Sequence, residues 1–202
     1  MKKLIMLFSL VLCSLPTFAI SGQYGISSDY MWRGISQSNG NPAINFGIEQ
    51  QLGAGFYAGA WASTIDFNDD NNVELDLYGG YSIGGDNWNI DLGYIAYRYD
   101  HDNDLNFDEV YLSVAYGPVK VGSYHDEDND RQYDFIDVSL PFLKFADVTL
   151  HYGDQDGFSD KSVNVEYALS DSMSIGVMVM SHIRNDNIEI EDAVSVHFVS
   201  KF

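Results

Sequence analysis

Apolar side chains recur at every second position through most of this chain, and that period constrains the fold more than any other feature. Val73-Glu74-Leu75-Asp76-Leu77-Tyr78, Trp88-Asn89-Ile90-Asp91-Leu92, Ser162-Val163-Asn164-Val165-Glu166-Tyr167 and Ala193-Val194-Ser195-Val196-His197-Phe198 are the clearest cases. Successive side chains of a strand point to opposite faces, so each segment predicts a strand with one apolar and one polar face. Strands are expected near 23–36, 43–51, 55–65, 73–83, 88–99, 107–117, 119–125, 132–141, 146–153, 162–169, 173–184 and 192–202. A soluble sandwich buries the apolar face, whereas a membrane barrel turns it to lipid and keeps the polar face for a lumen. Alternation alone does not separate the two.

The connections do. Asp66 to Asn72, Asp100 to Asn106, Asp126 to Arg131, Asp154 to Lys161 and Asn185 to Asp192 read as longer loops, and together they hold seventeen of the 30 acidic residues. The intervening Gly53-Ala54, Gly84 to Asn87, Gly117-Pro118, Phe142 to Phe145 and Ser170 to Ser172 read as short turns, with only Asp86, Asp147 and Asp171 at or beside them. A sandwich has no reason to sort its loops by parity. An up-and-down barrel in a bilayer does, since alternate connections meet opposite sides of the membrane. The first loop, around Ser38-Asn39-Gly40-Asn41, is short and uncharged. The expected fold is therefore all-β: a closed up-and-down antiparallel transmembrane β-barrel of about 12 strands, whose closure leaves no unpaired edge in lipid.

The start of the chain supports export. Lys2 and Lys3 precede an apolar run from Leu4 to Leu12, and Thr17-Phe18-Ala19 offers small residues at a cleavage site. These are the parts of a secretory signal peptide, expected over residues 1–19 with the barrel over 20–202. The run is shorter than the roughly 20 residues a membrane-spanning helix needs. The single cysteine, Cys13, leaves with the leader, so no disulfide or thiolate metal site is expected. A formal charge of −20 excludes a nucleic-acid binder, because affinity for phosphate comes from Lys and Arg. With 46% hydrophobic residues the chain is not a disordered polyanion.

Ser28-Asp29-Tyr30-Met31-Trp32-Arg33-Gly34-Ile35-Ser36-Gln37-Ser38 resembles the opening motif of the TorF (Gcw_chp) family of outer-membrane porins. Gly55-Phe56-Tyr57-Ala58-Gly59 with Trp61-Ala62-Ser63, then Glu74-x-Asp76-x-Tyr78-x-Gly80-Tyr81, Asp91-x-Gly93-Tyr94 and Glu109-Val110-Tyr111, continue the likeness. The resemblance implies a proteobacterial outer-membrane barrel and little about mechanism. Phe202 ends an alternating strand and resembles the assembly signal of such barrels. Outer-membrane lipids, the barrel-assembly machinery, and small solutes or cations are the expected partners. No cofactor is expected.

With the apolar face toward lipid, parity places Asp29, Arg33, Asn45, Glu49, Glu74, Asp76, Tyr78, Asn89, Asp91, Glu109, Tyr111, Lys120, Asp137, His151, Asn164, Glu166, His182, His197 and Lys201 inside. Arg33 is the expected anchor of the lumen, its planar fork suited to bridging carboxylates, with Glu74, Asp76 or Glu109 as partners. Parity across 55–65 is ambiguous, because Trp61 opposes Ala60 and Ala62. Arg98 falls on the lipid face near the outer end, where it can reach headgroups. An acidic lining that conducts favours cations; the same cluster could equally fill and plug the interior.

The Asp-rich loops invite a calcium reading at Asp100, Asp102 and Asp104 and at Asp126, Asp128 and Asp130. The helix-loop-helix motif is excluded, since it needs Gly at position six and Glu at twelve, where Leu105 or Arg131 and Tyr111 or Asp137 stand. Looser cation binding stays open beside a merely solvated rim. A lipid-modifying enzyme is the third reading, with Ser181 beside His182 and Ser195 near His197; such a pair must meet within hydrogen-bond reach, usually with a third orienting group. The expected function is a narrow porin passing small hydrophilic solutes or cations. A plugged structural or binding barrel is the alternative.

Overall fold

A computed structural model describes residues 20–141, 145–184 and 189–202. The expected leader, residues 142–144 of one short turn and residues 185–188 of the last long loop lie outside them. The described strands are β1 (Ile20–Ser27), β2 (Met31–Trp32), β3 (Ile35–Ser36), β4 (Ala43–Gly53), β5 (Phe56–Thr64), β6 (Val73–Gly85) and β7 (Trp88–Tyr99), followed by β8 (Phe107–Tyr116), β9 (Val119–Asp126), β10 (Arg131–Ser139), β11 (Asp147–Gln155), β12 (Phe158–Ala168), β13 (Met173–Arg184) and β14 (Glu189–Lys201). All but β2 and β3 form one closed barrel in the order β1-β14-β13-β12-β11-β10-β9-β8-β7-β6-β5-β4. Every neighbouring pair is antiparallel, and β1 closes on β14 from Gln23↔Lys201 to Ser27↔His197. The fold is a twelve-strand up-and-down transmembrane barrel.

Exposure along β6 gives the orientation. Leu75 and Leu77 are 38% and 47% exposed, while Glu74 and Asp76 between them are 3% and 6% exposed. Ile90, Leu92, Val163, Val165, Val177 and Val196 repeat the outward pattern on other strands. Phe56, Trp88, Tyr116, Tyr167 and Phe202 are exposed near the short-turn end, as an aromatic girdle at a membrane interface would be. In β5 the ambiguity resolves: Trp61 faces inward, paired across the wall with Asp76, and Ala60 and Ala62 face lipid.

Aromatic rings and glycines share the inner wall. The rings of Tyr133, Tyr111, Tyr57, Tyr78 and Phe135 occupy the space where a Cβ would stand on Gly153, Gly93, Gly80, Gly59 and Gly122 of neighbouring strands. Each ring therefore lies along the wall and covers backbone that has no side chain of its own. This fills a twelve-strand cross-section without driving every ring to the axis.

Three expectations need correction. The acidic stretch expected as a loop from Asn185 to Asp192 is strand from Glu189 onward, where β14 pairs Asp192 with Ser181 of β13. The first strand does not run from 23 to 36: it ends at Ser27, and residues 28–42 form a loop carrying the β2–β3 hairpin. The acidic stretch 154–161 is not a long loop, because β11 and β12 run through it and meet at Asp156-Gly157, with Gly157 at φ 91°. That two-residue turn is the Asp-Gly hairpin signal, which overrides the local density of charge.

At the seam, Gly22 N–H donates to the Phe202 carbonyl at 3.0 Å and Phe202 N–H returns the bond to Gly22 at 2.9 Å. The Phe202 ring covers Gly22 and lies 6.2 Å from the Phe46 ring. Gly22→Val must displace that ring, and overpacking of this kind costs about 1–3 kcal/mol. The expected outcome is a smaller folded fraction, read as loss of the heat-modifiable band on a denaturing gel. Because Val is the better strand former, a folded fraction equal to wild type would show that the ring is not needed to close the seam.

Candidate functional site

The loop after β1 turns into the barrel. Met31 pairs with Ser36 and Trp32 with Ile35, joined by Arg33-Gly34 at φ 45° and 82°. Both signs are positive, as a two-residue hairpin turn of the primed type requires. A non-glycine residue there costs on the order of 1 kcal/mol or more, so the contacts of Arg33 must hold it. Its Nη1 and Nη2 donate to the two carboxylate oxygens of Glu109, each at 2.8 Å. The Tyr97 hydroxyl donates to the same carboxylate at 3.0 Å. The guanidinium carbon stands 4.2 Å from the Tyr133 ring, 4.3 Å from Trp32 and 5.0 Å from Tyr124. A Cβ on Gly34 would fall 2.8 Å from Asp160 Cβ and 3.0 Å from His182 Nδ1. The hairpin tip therefore crosses the interior from β1 to the far wall.

The loop is fastened at its base. Asp29 accepts from Ser36 Oγ at 2.6 Å and Ser38 Oγ at 2.9 Å, and Ser195 Oγ donates to the Asp29 carbonyl at 2.6 Å. Asp66 N–H donates to the Gln37 carbonyl at 2.9 Å. The Tyr30 ring packs 5.3 Å from Trp61.

A second polar cluster lies against the tip. His151 Nδ1 meets Asp137 Oδ1 at 2.6 Å, and its Nε2 lies 2.8 Å from the Tyr133 hydroxyl and 3.1 Å from Asp160 Oδ2. Tyr133 donates to Asp160 Oδ1 at 3.0 Å. Two cavities share Trp32 and Arg33 as wall. One, of about 430 Å³, is lined by Lys120, Phe135, His151 and Met178 among others. The other, of about 310 Å³, opens among Phe67, Tyr99, Phe107 and Arg131. A third, of about 320 Å³ at the short-turn end, is lined by Gln23, Glu49, Trp61, Tyr78 and Lys201.

The remaining candidate residues are distributed around this core. Glu74 and Asp76 lie on the inner face of β6. Asp91 accepts from the Tyr57 hydroxyl at 2.6 Å, and that hydroxyl lies 2.5 Å from Tyr111. Lys120 Nζ sits 5.5 Å from the Phe135 ring centre. Glu166 accepts from Ser174. The His182 ring packs 5.0 Å from Phe158, and the His197 ring covers Gly176. Arg98 is on the outer surface but not free, since it pairs with Asp108 at 2.6 Å.

The Asp-rich runs do not converge. Among the described residues no group of three or more His, Cys, Asp or Glu side chains is arranged to hold a metal ion. Asp126 departs from its expected place on the outer rim. It is buried at the end of β9, where it accepts from the Asp128 and Asn129 amides and from Arg131 Nη2 at 3.0 Å. Asp128 and Asp130 are exposed, and Asp102 accepts from the Asp104 amide. The Asn72 amide donating to Asp100 holds that carboxyl below its ordinary range. A lowered carboxyl stabilises the fold above its unfolded value, and the contribution is lost only as pH falls through the lower folded value. This link between the 65–72 and 100–106 loops therefore persists at neutral pH.

Neither serine expected beside a histidine is placed to be activated by it. Ser181 Oγ donates to Asp192 at 2.5 Å on the outer face, opposite to inward His182, and Ser195 is engaged by the Asp29 carbonyl. Sequence reasoning missed Asp160, 1% exposed, and the rings of Tyr97, Tyr124 and Tyr133 around Arg33. The Asp156-Gly157 turn signal could have placed Asp160 on an inward strand position; the ring cage had no local signature.

A polar interior crossed by a loop, inside a closed transmembrane barrel with an apolar exterior, is porin-like architecture. The family model described as a bacterial protein of unknown function (Gcw_chp) matches residues 14–182, and the chain belongs to that family. No curated protein gives a significant sequence match. Among solved structures the chain is similar to the KdgM porin, with TM-score 0.61 and 12% identity over 90% of this chain and 98% of that one. A second structure, of KdgM porin in complex with disordered oligogalacturonate, gives 0.60 and 10% over 91% and 97%. The NanC porin gives 0.52 and 10% over 90% and 98%. At these identities the likeness is one of fold.

Arg33 and Glu109 side chains are 7% and 3% exposed. Removing one partner of a buried pair costs about 3–5 kcal/mol, because the other is left as an uncompensated charge. Glu109→Ala is expected to destabilise the barrel by that order in urea titrations of the folded fraction. Adding Arg33→Met should recover most of the loss; no recovery would show that the pair is not the source.

Proposed function

We propose that this barrel is a narrow porin of the bacterial outer membrane, passing small hydrophilic solutes with a preference for cations. The Trp32-Arg33 hairpin is its constriction. The observation that carries this reading is the pair of cavities on the two sides of the hairpin, both walled by Trp32 and Arg33. A loop that crosses the interior yet leaves space on both sides sets the width of a path. The short turns face the periplasm and the longer loops face outside.

The charge preference follows from inward groups. Glu49 and Asp91 have no ion pair among the described residues, against Lys120 and Lys201. Rows of carboxylates in a confined path favour cations, and acidic loops at the mouth raise the local cation concentration. The oligogalacturonate named with the KdgM porin supports a hydrophilic solute as the general class. The unpaired carboxylates here argue against a polyanion.

A plugged barrel is the second reading, favoured by the two-pronged grip of Glu109 on Arg33 within its cage of rings. Planar-bilayer recordings separate the two. The expected result is discrete, cation-selective conductance, larger in Glu109→Gln and less selective in Glu49→Gln/Asp91→Asn. Silence of both wild type and Glu109→Gln in every preparation would overturn the channel in favour of the plug.

A further inference from the structure

The inner wall of β6 carries two carboxylates whose surroundings are incomplete. Glu74 and Asp76 stand two residues apart on one face, with Cα atoms about 6.8 Å apart by strand geometry. Both are more than nine-tenths buried. Their cross-strand neighbours on that face are uncharged: Ser63 and Tyr99 beside Glu74, Trp61 and Tyr97 beside Asp76. The Tyr99 hydroxyl donates to Glu74 Oε1 at 3.3 Å, and the Tyr30 hydroxyl faces the same carboxylate. Glu74 Oε2 and Asp76 Oδ1 are enclosed and have no hydrogen-bond partner among the described residues. Arg33 bonds to neither of these oxygens; its Nη1 and Nη2 donate to Glu109.

We infer that Glu74 and Asp76 form a binding site for a hard divalent cation of the calcium class, closed over by the 28–42 loop. An enclosed carboxylate oxygen with no donor facing it is unfavourable. A single proton shared between the two carboxyls is the competing way to satisfy them, and it leaves both calcium readouts flat. A cation satisfies both free oxygens at once. The available donors are carboxylate and phenol oxygens, a set that suits hard cations rather than metals that prefer nitrogen or sulfur. Calcium accepts irregular coordination by six to eight oxygens, with water completing the shell, whereas magnesium demands an octahedron and gives up water reluctantly. The loop that closes the site bears Tyr30 and the hairpin. A bound cation thus fastens that loop to β6, in addition to the grip of Glu109 on Arg33.

The test uses the full mature barrel folded in detergent micelles and stripped with chelator. Calcium chloride is expected to raise the melting temperature by about 5 °C or more at saturation, and equilibrium dialysis is expected to retain about one tightly held calcium per barrel, by the single-site count above. Magnesium should act more weakly. Both calcium effects should vanish in Glu74→Gln/Asp76→Asn and persist in Asp102→Asn/Asp104→Asn/Asp128→Asn/Asp130→Asn. An unmoved wild type, or a shift kept by the first variant and lost in the second, overturns the site. Should the double variant fail to fold, Asp76→Asn alone carries the dialysis test, and undiminished binding by it is equally fatal. Neither readout involves conductance. A silent barrel that binds calcium sinks only the channel, and a conducting barrel that does not bind it sinks only this site.

Discussion

Hydrocarbon offers no hydrogen-bond partner, and that single fact governs this molecule. Every strand must find both neighbours, so the sheet closes on itself from β1 to β14. Once it has closed, the period of two leaves no choice: the Leu and Val rows go out, and Glu, Asp, Tyr and His go in. The interior then holds more polar groups than a small cross-section can hydrate freely. Much of what distinguishes this chain is how those groups are satisfied. Arg33 is matched to Glu109, His151 to Asp137 and Asp160, and Tyr57 to Asp91.

Most of the wall was legible from residue order, because a strand's faces are decided locally. Val73 to Tyr78 needs no knowledge of the rest of the chain to declare which side is greasy. Trp61 was not legible, since Ala60 and Ala62 give no strong signal, and only its pairing with Asp76 decides the question. The site was legible in part. The inward parity of Glu109 follows from its strand, and the planar fork of Arg33 suggested a carboxylate partner. What could not be read was that residues 28–42 leave the wall. Met31, Trp32 and Ile35 look like strand residues, and they are in a strand pair, but a private one. Whether a short hairpin joins the sheet or crosses the interior depends on what awaits it on the far side. That information is spread over Tyr97, Glu109, Tyr124, Tyr133 and Asp160.

The acidic stretches teach a related lesson. Charge density reads as loop, yet Asp126 and Asp160 are among the most buried side chains of the chain. Asp126 is held by Asn129 and Arg131 of its own turn, and Asp160 by the Tyr133 hydroxyl, with His151 Nε2 at 3.1 Å. A carboxylate in a barrel is as much at home inside as on the rim, provided its partners meet it there.

The reach of the first loop also imposes an order in time. Its tip rests on residues of β8, β10 and β12, all made long after β1, so the hairpin has nothing to grip until the opposite wall exists. The last strand of the chain, β14, is also the one that pairs with β1 and supplies the hydroxyl holding Asp29. Sealing the cylinder and seating the hairpin within it therefore draw on the same strand. The hairpin holds its place only against a closed wall.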